Sequence, residues 1–578
     1  MVWVFLRNLK IMLKKLVFVF VFLFALPQIV FSQVSLVPVY HQVYDWLHYQ
    51  RVLGNAPLYN YESLPLTRGQ ITKILVDINV NDISSFDKRT RDSYLREFSA
   101  DSLEKYNSFS LIQGQEKIIP RFKKWIFSDD EPHIYAWKSK ESNAVFDFSF
   151  NPSSTIVSDD DKDINSPFYF TTMMRSYGTH HNLVGFHFEQ HNVSYTGNNK
   201  TFEYIPFLGR SAKYLLNKQD MQHFEAYTSL HKNHWSIAIG RGTLKDGVGR
   251  RNSLVYSRES IPFDWIRLSI DSKYIDYTSV TGFLTWRPRQ NEVDGYPGIM
   301  SRTSPSRYTV MHKVQFQPTK WITFGYYEMV NYSNREFELS YLNPATRLAL
   351  MEFEQDDQDN GFAGILGTLR PLKGLELYAE ILVDDLGVTR DILKINSKKR
   401  TAINSNFAHT IGGIYALNSG QVLTVNYQKV DPNVYAHKFQ FNAHAEEGFS
   451  LGSQIGPNAD EWSFNIDQWF SLRSKLTLGY TINRHGLNYY DSEENFVDSG
   501  GDVNNSYYID TETGKIVRAP VQDFLKGDLH EWNTFYGEFV YEIWRGLTLK
   551  IDASYRKMNR GEQIKDLLIT TVGLKIGE

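Results

Sequence analysis

Three features of the sequence predict a mainly β protein: a large outer-membrane antiparallel β-barrel of about 18 strands with a small N-terminal α-helical bundle. The first is strict alternation, plainest in LTLKIDASYRKM at residues 547–558. Leu547, Leu549, Ile551, Ala553 and Tyr555 fall on one face of a strand, and Thr548, Lys550, Asp552, Ser554 and Arg556 on the other. One face wants oil and the other wants water. The second is an aromatic content of 15% within an ordinary hydrophobic total of 42%, the excess that interfacial girdles use. The third is that no apolar run after the N-terminal leader is long enough for a spanning helix, so membrane integration must use strands. A soluble sandwich would alternate too, but the interior faces here carry too many charges for one large core.

The elements follow in order. Residues 1–32 place Arg7, Lys10, Lys14 and Lys15 ahead of an apolar run, with Val30 and Ser32 at the small-residue positions of a cleavage site. This reads as a secretory signal peptide cut before Gln33, with the outer membrane of a Gram-negative cell as destination. Residues 33–115 change to a helical period. Tyr40, Val43, Leu47 and either Val52 or Leu53 form a stripe stopped by Gly54, and Thr67 with Gln70 makes a capping box ahead of Ile71, Ile74 and Leu75. A third helix is expected from Asp87 to Tyr106. Helices this short bury little surface alone, so the bundle is expected to lean on the barrel wall or plug its lumen.

Over residues 116–578, alternating segments recur between Gly, Asn, Asp and Ser turns. They include FDFSF at 146, HWSIAIG at 234, WITFGYYEMV at 321, LELYAEILV at 375, QVLTVNYQKV at 421, KLTLGYTI at 475 and the final LLITTVGLKIG. At roughly 24 residues per strand and connection, this range holds about 18 strands. The last strand suits closure against the first. SDDDKDINS at 158 and the polar stretch 491–514 read as outward loops.

Composition also excludes several function classes. A net charge of -3 leaves no concentrated basic footprint for a phosphate backbone, so nucleic acid is not an expected partner. The chain has no cysteine, hence no disulfide framework. Its 16 His raise the question of a metal. His187 and His191, four apart, would share a strand face about 13 Å apart, too far for one ion, and His231 and His234 would face opposite ways. The run Asp159, Asp160, Asp161 and Asp163 lacks the glycine and terminal glutamate of a calcium loop. No catalytic motif stands in a supporting context, so no enzyme activity, cofactor or metal is expected.

Several segments, in order from about residue 40 to 470, together resemble the capsule-assembly Wzi family of outer-membrane barrels. They are VYDWLHYQRVLGN with LPLTRGQITKIL, DGVGRRNSLVYSRESIPFDWIRLSI, WITFGYYEMVNYSNREFELSYLNP, DQDNG, LELYAEILVDD and LGSQIGPNADEW. The sequence departs at DGVGRR, where such proteins often carry a Trp before the glycine and Asp246 stands here. The resemblance implies a non-enzymatic monomer that anchors or assembles capsular or surface polysaccharide, with outer-membrane lipid around it. A porin-like uptake channel and an adhesin or gliding-motility component are the alternatives. Tyr341 and Asn343 in SYLNP, with Asp359 and Asn360 in DQDNG, are candidates for a ligand-facing pair of loops, or else are turn residues. Arg250, Arg251 and Arg258, with Asp384 and Asp385, are candidates for a lumen ion-pair network that packs the helices.

Overall fold

The computed structural model describes residues 33–99, 108–112, 117–127, 131–159, 168–196, 213–214, 220–251, 253–272, 274–286, 305–354, 359–384, 406–437, 439–470, 473–494, 496–504, 507–509, 516–518, 523–561 and 563–577. The signal-peptide expectation, Asp160, Asp161, Asp163 and Asp385 lie outside the described residues.

Alternating segments become strands because each buries one face and leaves the other to solvent or lipid. Eighteen of them close an antiparallel barrel. They are β1 Ser142–Asp159, β2 Phe168–His180, β3 Val184–Thr196, β4 Asp220–Lys232, β5 Trp235–Gly242, β6 Phe263–Asp271, β7 Ile275–Leu284, β8 Arg307–Thr319 and β9 Ile322–Ser333. The second half comprises β10 Asn360–Leu372, β11 Leu375–Asp384, β12 Asn406–Ala416, β13 Gln421–Val430, β14 Ala459–Trp469, β15 Lys475–Leu487, β16 Asp528–Trp544, β17 Leu547–Arg560 and β18 Gln563–Gly577. Each pairs with its successor, and β18 returns to β1 with Leu568 opposite Ser158, so no edge is left unpaired in the wall. The expected barrel and its closure are found.

Short turns gather at one end of the wall, for example 233–234, 320–321, 373–374 and 545–546. Gly374, at φ +86°, makes one of them, and a Cβ there would meet the carbonyl of Ala416. Long connections gather at the other end, except the tight turn after Arg560. Trp235, Tyr274, Trp321, Tyr415, Phe470 and Trp544 stand exposed beside the short turns, as an interfacial girdle does. Between the ends most outward positions are apolar, including Ile237, Ile239, Phe324, Ile365 and Ile411.

The helices are α1 Gln42–Val52, α2 Arg68–Asp77, α3 Ser85–Ser99 and α4 Ile118–Phe127. The capping box on α2 is formed as expected: Thr67 caps Gln70 and Gln70 caps Thr67. One correction concerns the start of the wall. The expected boundary at 116 gives way to α4, whose segment IIPRFKKWIF has helical rather than alternating spacing and tolerates Pro120 in its first turn. Pairing along the wall starts only at Tyr135–Lys138. A second concerns the expected outward loop at 491–514: its stretch from Ser499 to Asn504 is largely buried, with the Gly500 carbonyl accepting from Asn433 N at 2.9 Å and Asn504 Nδ2 donating to the Gly448 carbonyl at 2.9 Å. Gly500 and Gly501 let the backbone approach its neighbours closely.

The helices α1 to α3 dock at the short-turn end. Val52 O accepts from Gly374 N at 2.9 Å, Tyr49 Oη donates to Leu417 O at 3.0 Å, and Arg473 pairs with Glu97 at 2.8 Å. From the opposite end the β5–β6 connection runs inward, and its Lys245–Asp246 pairs antiparallel with Ser63–Leu64 of the N-terminal segment. Trp46, Tyr44, Leu47 and Leu75 thereby share one apolar core with Leu254 and Val255 of that connection and Trp265 and Tyr327 of the wall. Arg51 fixes the assembly: it bonds Glu62 at 2.6 and 2.8 Å, Glu376 on β11 at 3.0 Å and Thr368 on β10 at 3.1 Å. Arg51→Ala strips the buried Glu62 of its guanidinium, while Glu376 keeps His48 at 2.7 Å and Arg370 at 3.1 Å, and is expected to cost about 3 kcal/mol. Limited proteolysis should then cut within 33–99 while the barrel keeps its heat-modifiable gel migration.

Candidate functional site

The inward positions of the wall are polar by alternation, and most are sealed by what fills the lumen. Glu380 on β11 accepts from Val248 N at 2.9 Å and from Tyr327 Oη at 2.9 Å, clamping the inserted 243–262 connection. Lys313 on β8 bonds Asp246 at 2.5 Å and the Glu62 carbonyl at 2.7 Å. The 431–458 connection enters beside it: Tyr435 Oη donates to Leu254 O at 2.8 Å, and Arg307 donates to the carbonyls of Phe441 and Ala443.

Three of the expected network residues lie on the inserted connection. Arg258 reaches Asp45 of α1 at 2.8 Å, and Arg250 joins Asp45 at 3.5 Å and also bonds Asp467 of β14. Burial alone would raise the Asp45 carboxyl, but Arg258, Arg250 and Lys475 outweigh it and hold it well below the usual carboxylate range. Arg251 turns the other way, toward Glu259 at 3.6 Å, with its guanidinium 5.4 Å over the Tyr536 ring. Asp384 stands apart from these arginines and accepts from Tyr435 N at 2.8 Å.

The loop candidates divide between the two sides of the wall. The β9–β10 connection contains α5 Leu339–Leu342 and α6 Leu348–Glu354. Tyr341 in α5 is fully buried and donates to Asp359 at 2.7 Å, while Arg335 grips the same carboxylate at 2.7 and 2.5 Å. Asn343 caps the end of α5 and accepts from Ala345 N at 3.1 Å. Asn360 points inward instead and donates to the Asn442 carbonyl at 3.0 Å. Tyr341 and Asp359 thus share one buried cluster, and Asn360 belongs to another.

One sector of the lumen stays wet. Along β16 and β17 the inward residues Lys550 and Asp552 are 50% and 38% exposed, although they face the barrel interior. Lys550 pairs with Glu538 at 3.1 Å and Asp552 at 3.4 Å. Tyr536 and Trp532 continue the same face of β16, Tyr536 bonded to Asn465 and Trp532 packed edge-on against His530. Across from them stand Arg251, 55% exposed, and Glu259. The result is a polar inner face of the wall that solvent reaches, with Trp532 and Tyr536 on it, the Tyr536 ring lying over Gly479 and beneath the Arg251 guanidinium. This face takes in the stretch 547–558, whose alternation put Lys550, Asp552 and Arg556 on the wet side; Trp532 and Tyr536 carried no sequence signal beyond the same alternation. Among the described residues no cluster of His, Asp and Glu has metal-binding geometry.

The family model described as capsule assembly protein Wzi matches residues 149–504, more than half of the chain. The chain belongs to the Wzi family. The Escherichia coli Wzi structure, described as an outer membrane protein involved in group 1 capsule assembly and a carbohydrate-binding β-barrel, is similar at TM-score 0.52 and 10% identity. The match covers 94% of this chain and 99% of that one. Acinetobacter baumannii OccAB1 (TM-score 0.42, 11% identity, 75% of this chain and 96% of that one) and Pseudomonas aeruginosa OprD (0.39, 11%, 75% and 95%) are also similar. No curated protein matches the sequence significantly. This Wzi-family chain is an outer-membrane barrel protein, and its shared fold with E. coli Wzi extends over the N-terminal helices as well as the wall.

Acid should act on the plug of this Wzi-family barrel through Asp45. Its folded-state pKa is depressed, so the stabilisation is complete above the ordinary carboxylate value of about 4 and is lost as pH falls below it. Protection of α1 amides against hydrogen exchange, relative to the intrinsic rate at each pH, should fall below about pH 4. The variant Asp45→Asn should lose most of that acid dependence, and an unchanged pH profile would contradict the assignment.

Proposed function

We propose that this protein holds surface polysaccharide at the outer membrane without chemical turnover, and that the wet sector beside β16 and β17 is where the glycan is contacted. The carrying observation is the presence of aromatic rings beside exposed charged groups on the inner face of β16 and β17. Sugars offer C–H faces that stack on aromatic rings and hydroxyls that need fixed donors and acceptors. Trp532 and Tyr536 supply the first; Arg251, Glu259, Lys550 and Asp552 supply the second. The lumen filling by α1 to α3 and by the inserted connections favours this reading over a porin-like channel, whose solute path would have to pass the same volume. Family membership and the carbohydrate binding stated for the E. coli protein support it further.

Polysaccharide extracted from the source cells should bind the purified barrel. Replacing both aromatics, Trp532→Ala with Tyr536→Ala, should weaken binding about tenfold, roughly the worth of two stacking contacts. The lipid-facing control Ile466→Ala should bind as wild type. Undiminished binding by the double variant, with heat-modifiable migration intact, would remove the wet sector from the account.

A further inference from the structure

The outer face of the wall carries a polar row where lipid should be. Ser279 on β7 is the register partner of His312 on β8, and His312 of Glu328 on β9. All three point outward, because the next residues along their strands turn in: Lys313 to Asp246 and Tyr327 to Glu380. The row continues into Leu268 on one side and Ala363 on the other. Strand β9 has 12 residues. At about 3.3 Å per residue and a tilt near 40°, such a strand climbs roughly 30 Å, little more than the apolar band of about 25 Å. Glu328, near its middle, therefore sits at hydrocarbon depth, where an uncovered carboxylate is costly.

It is covered. The β9–β10 connection folds back down the outside of the wall and supplies partners to Glu328 and to one ring nitrogen of His312 from its own backbone and side chains. Tyr277 Oη donates to Pro344 O at 2.8 Å, and His312 Nδ1 lies 3.1 Å from Thr346 O. Glu328 accepts from Arg347 Nε at 2.6 Å, Leu348 N at 2.8 Å and Tyr326 Oη at 2.5 Å. Val310, Val330, Tyr332, Tyr341 and Leu348 close a separate apolar core between connection and wall. Gly361 on β10 has no Cβ to obstruct the Glu352 carboxylate of α6. On the side turned away from the wall, Leu339 and Leu350 are 74% and 63% exposed. These leucines continue an apolar surface whose wall positions Phe324 and Ile365 already meet lipid.

We propose that residues 334–354 form a flap embedded in the outer leaflet, whose leucine face takes lipid acyl chains while its inner face shields the Ser279–His312–Glu328 row. The native chain lacks cysteine, so single labels report single positions. Leu350→Cys, Ile237→Cys on the bare wall and Tyr490→Cys beyond the wall, each carrying a bimane fluorophore, are compared in phosphatidylcholine vesicles with and without mid-chain brominated lipid. Emission from the Leu350 and Ile237 positions should fall together, and emission from Tyr490 should hold. If Leu350 behaves as Tyr490 does, the flap is outside the membrane and the proposal fails. The shielding is tested separately by replacing 334–354 with an Asn-Gly turn. Heat-modifiable migration should be lost, then recovered when Glu328→Leu, His312→Leu and Ser279→Ala are added. A flapless barrel that stays folded with the polar row intact would overturn it.

Discussion

Two buried knots of guanidinium and carboxylate tie the parts of this molecule together. Arg51 joins α1 to Glu62 in the N-terminal segment and to Glu376 in the wall, and Asp45 joins α1 to Arg250 and Arg258 on the inserted connection. A buried charge without its partner costs far more than the pair returns, so Glu62 and Asp45 in particular depend on the arginines that reach them. Plug, inserted connection and wall are consequently interdependent. The lumen is not a pore that happens to be blocked; its inward polar face is completed by the segments that occupy it.

The same demand shapes both faces of the wall. Inside, alternation turns polar residues toward a lumen that is sealed along β6 to β14 by packing and left wet along β16 and β17. Outside, where lipid offers no hydrogen bonds, the apolar band is interrupted over β7 to β9, and there a connection folds back as cover. Glu380 and Glu328 show the symmetry: each is a carboxylate in mid-strand, one satisfied from within by Val248 N, the other from without by Leu348 N. The proposed glycan contact falls in the sector that solvent reaches, along Trp532, Tyr536 and Lys550.

The wall was legible in the sequence because its signal is local. The period of two in QVLTVNYQKV and LELYAEILV became β13 and β11 at almost the quoted bounds. The capping box at Thr67 was equally local. What the sequence hid is what depends on long-range meetings. Nothing in SYLNP or DQDNG distinguishes a ligand loop from a flap folded along lipid, since that depends on Glu328 and His312 on strands that the alternation alone marked as ordinary. The grouping of Arg250 and Arg258 was anticipated, but their acid is Asp45, from a helix 200 residues earlier, and Asp384 serves a backbone N–H instead. The polar, glycine-rich stretch at 499–504 looked like solvent-facing loop; its glycines serve close packing over Asn433.

A barrel that retains glycan at the cell surface should be missed when its gene is cleanly deleted. Polysaccharide from deletion and parent cells is separated into cell-bound and shed fractions and quantified. The account predicts unchanged total polymer with a shift from the bound to the shed fraction, reversed by the wild-type protein and not by the Trp532→Ala, Tyr536→Ala variant. Normal retention on the deletion cells would contradict it.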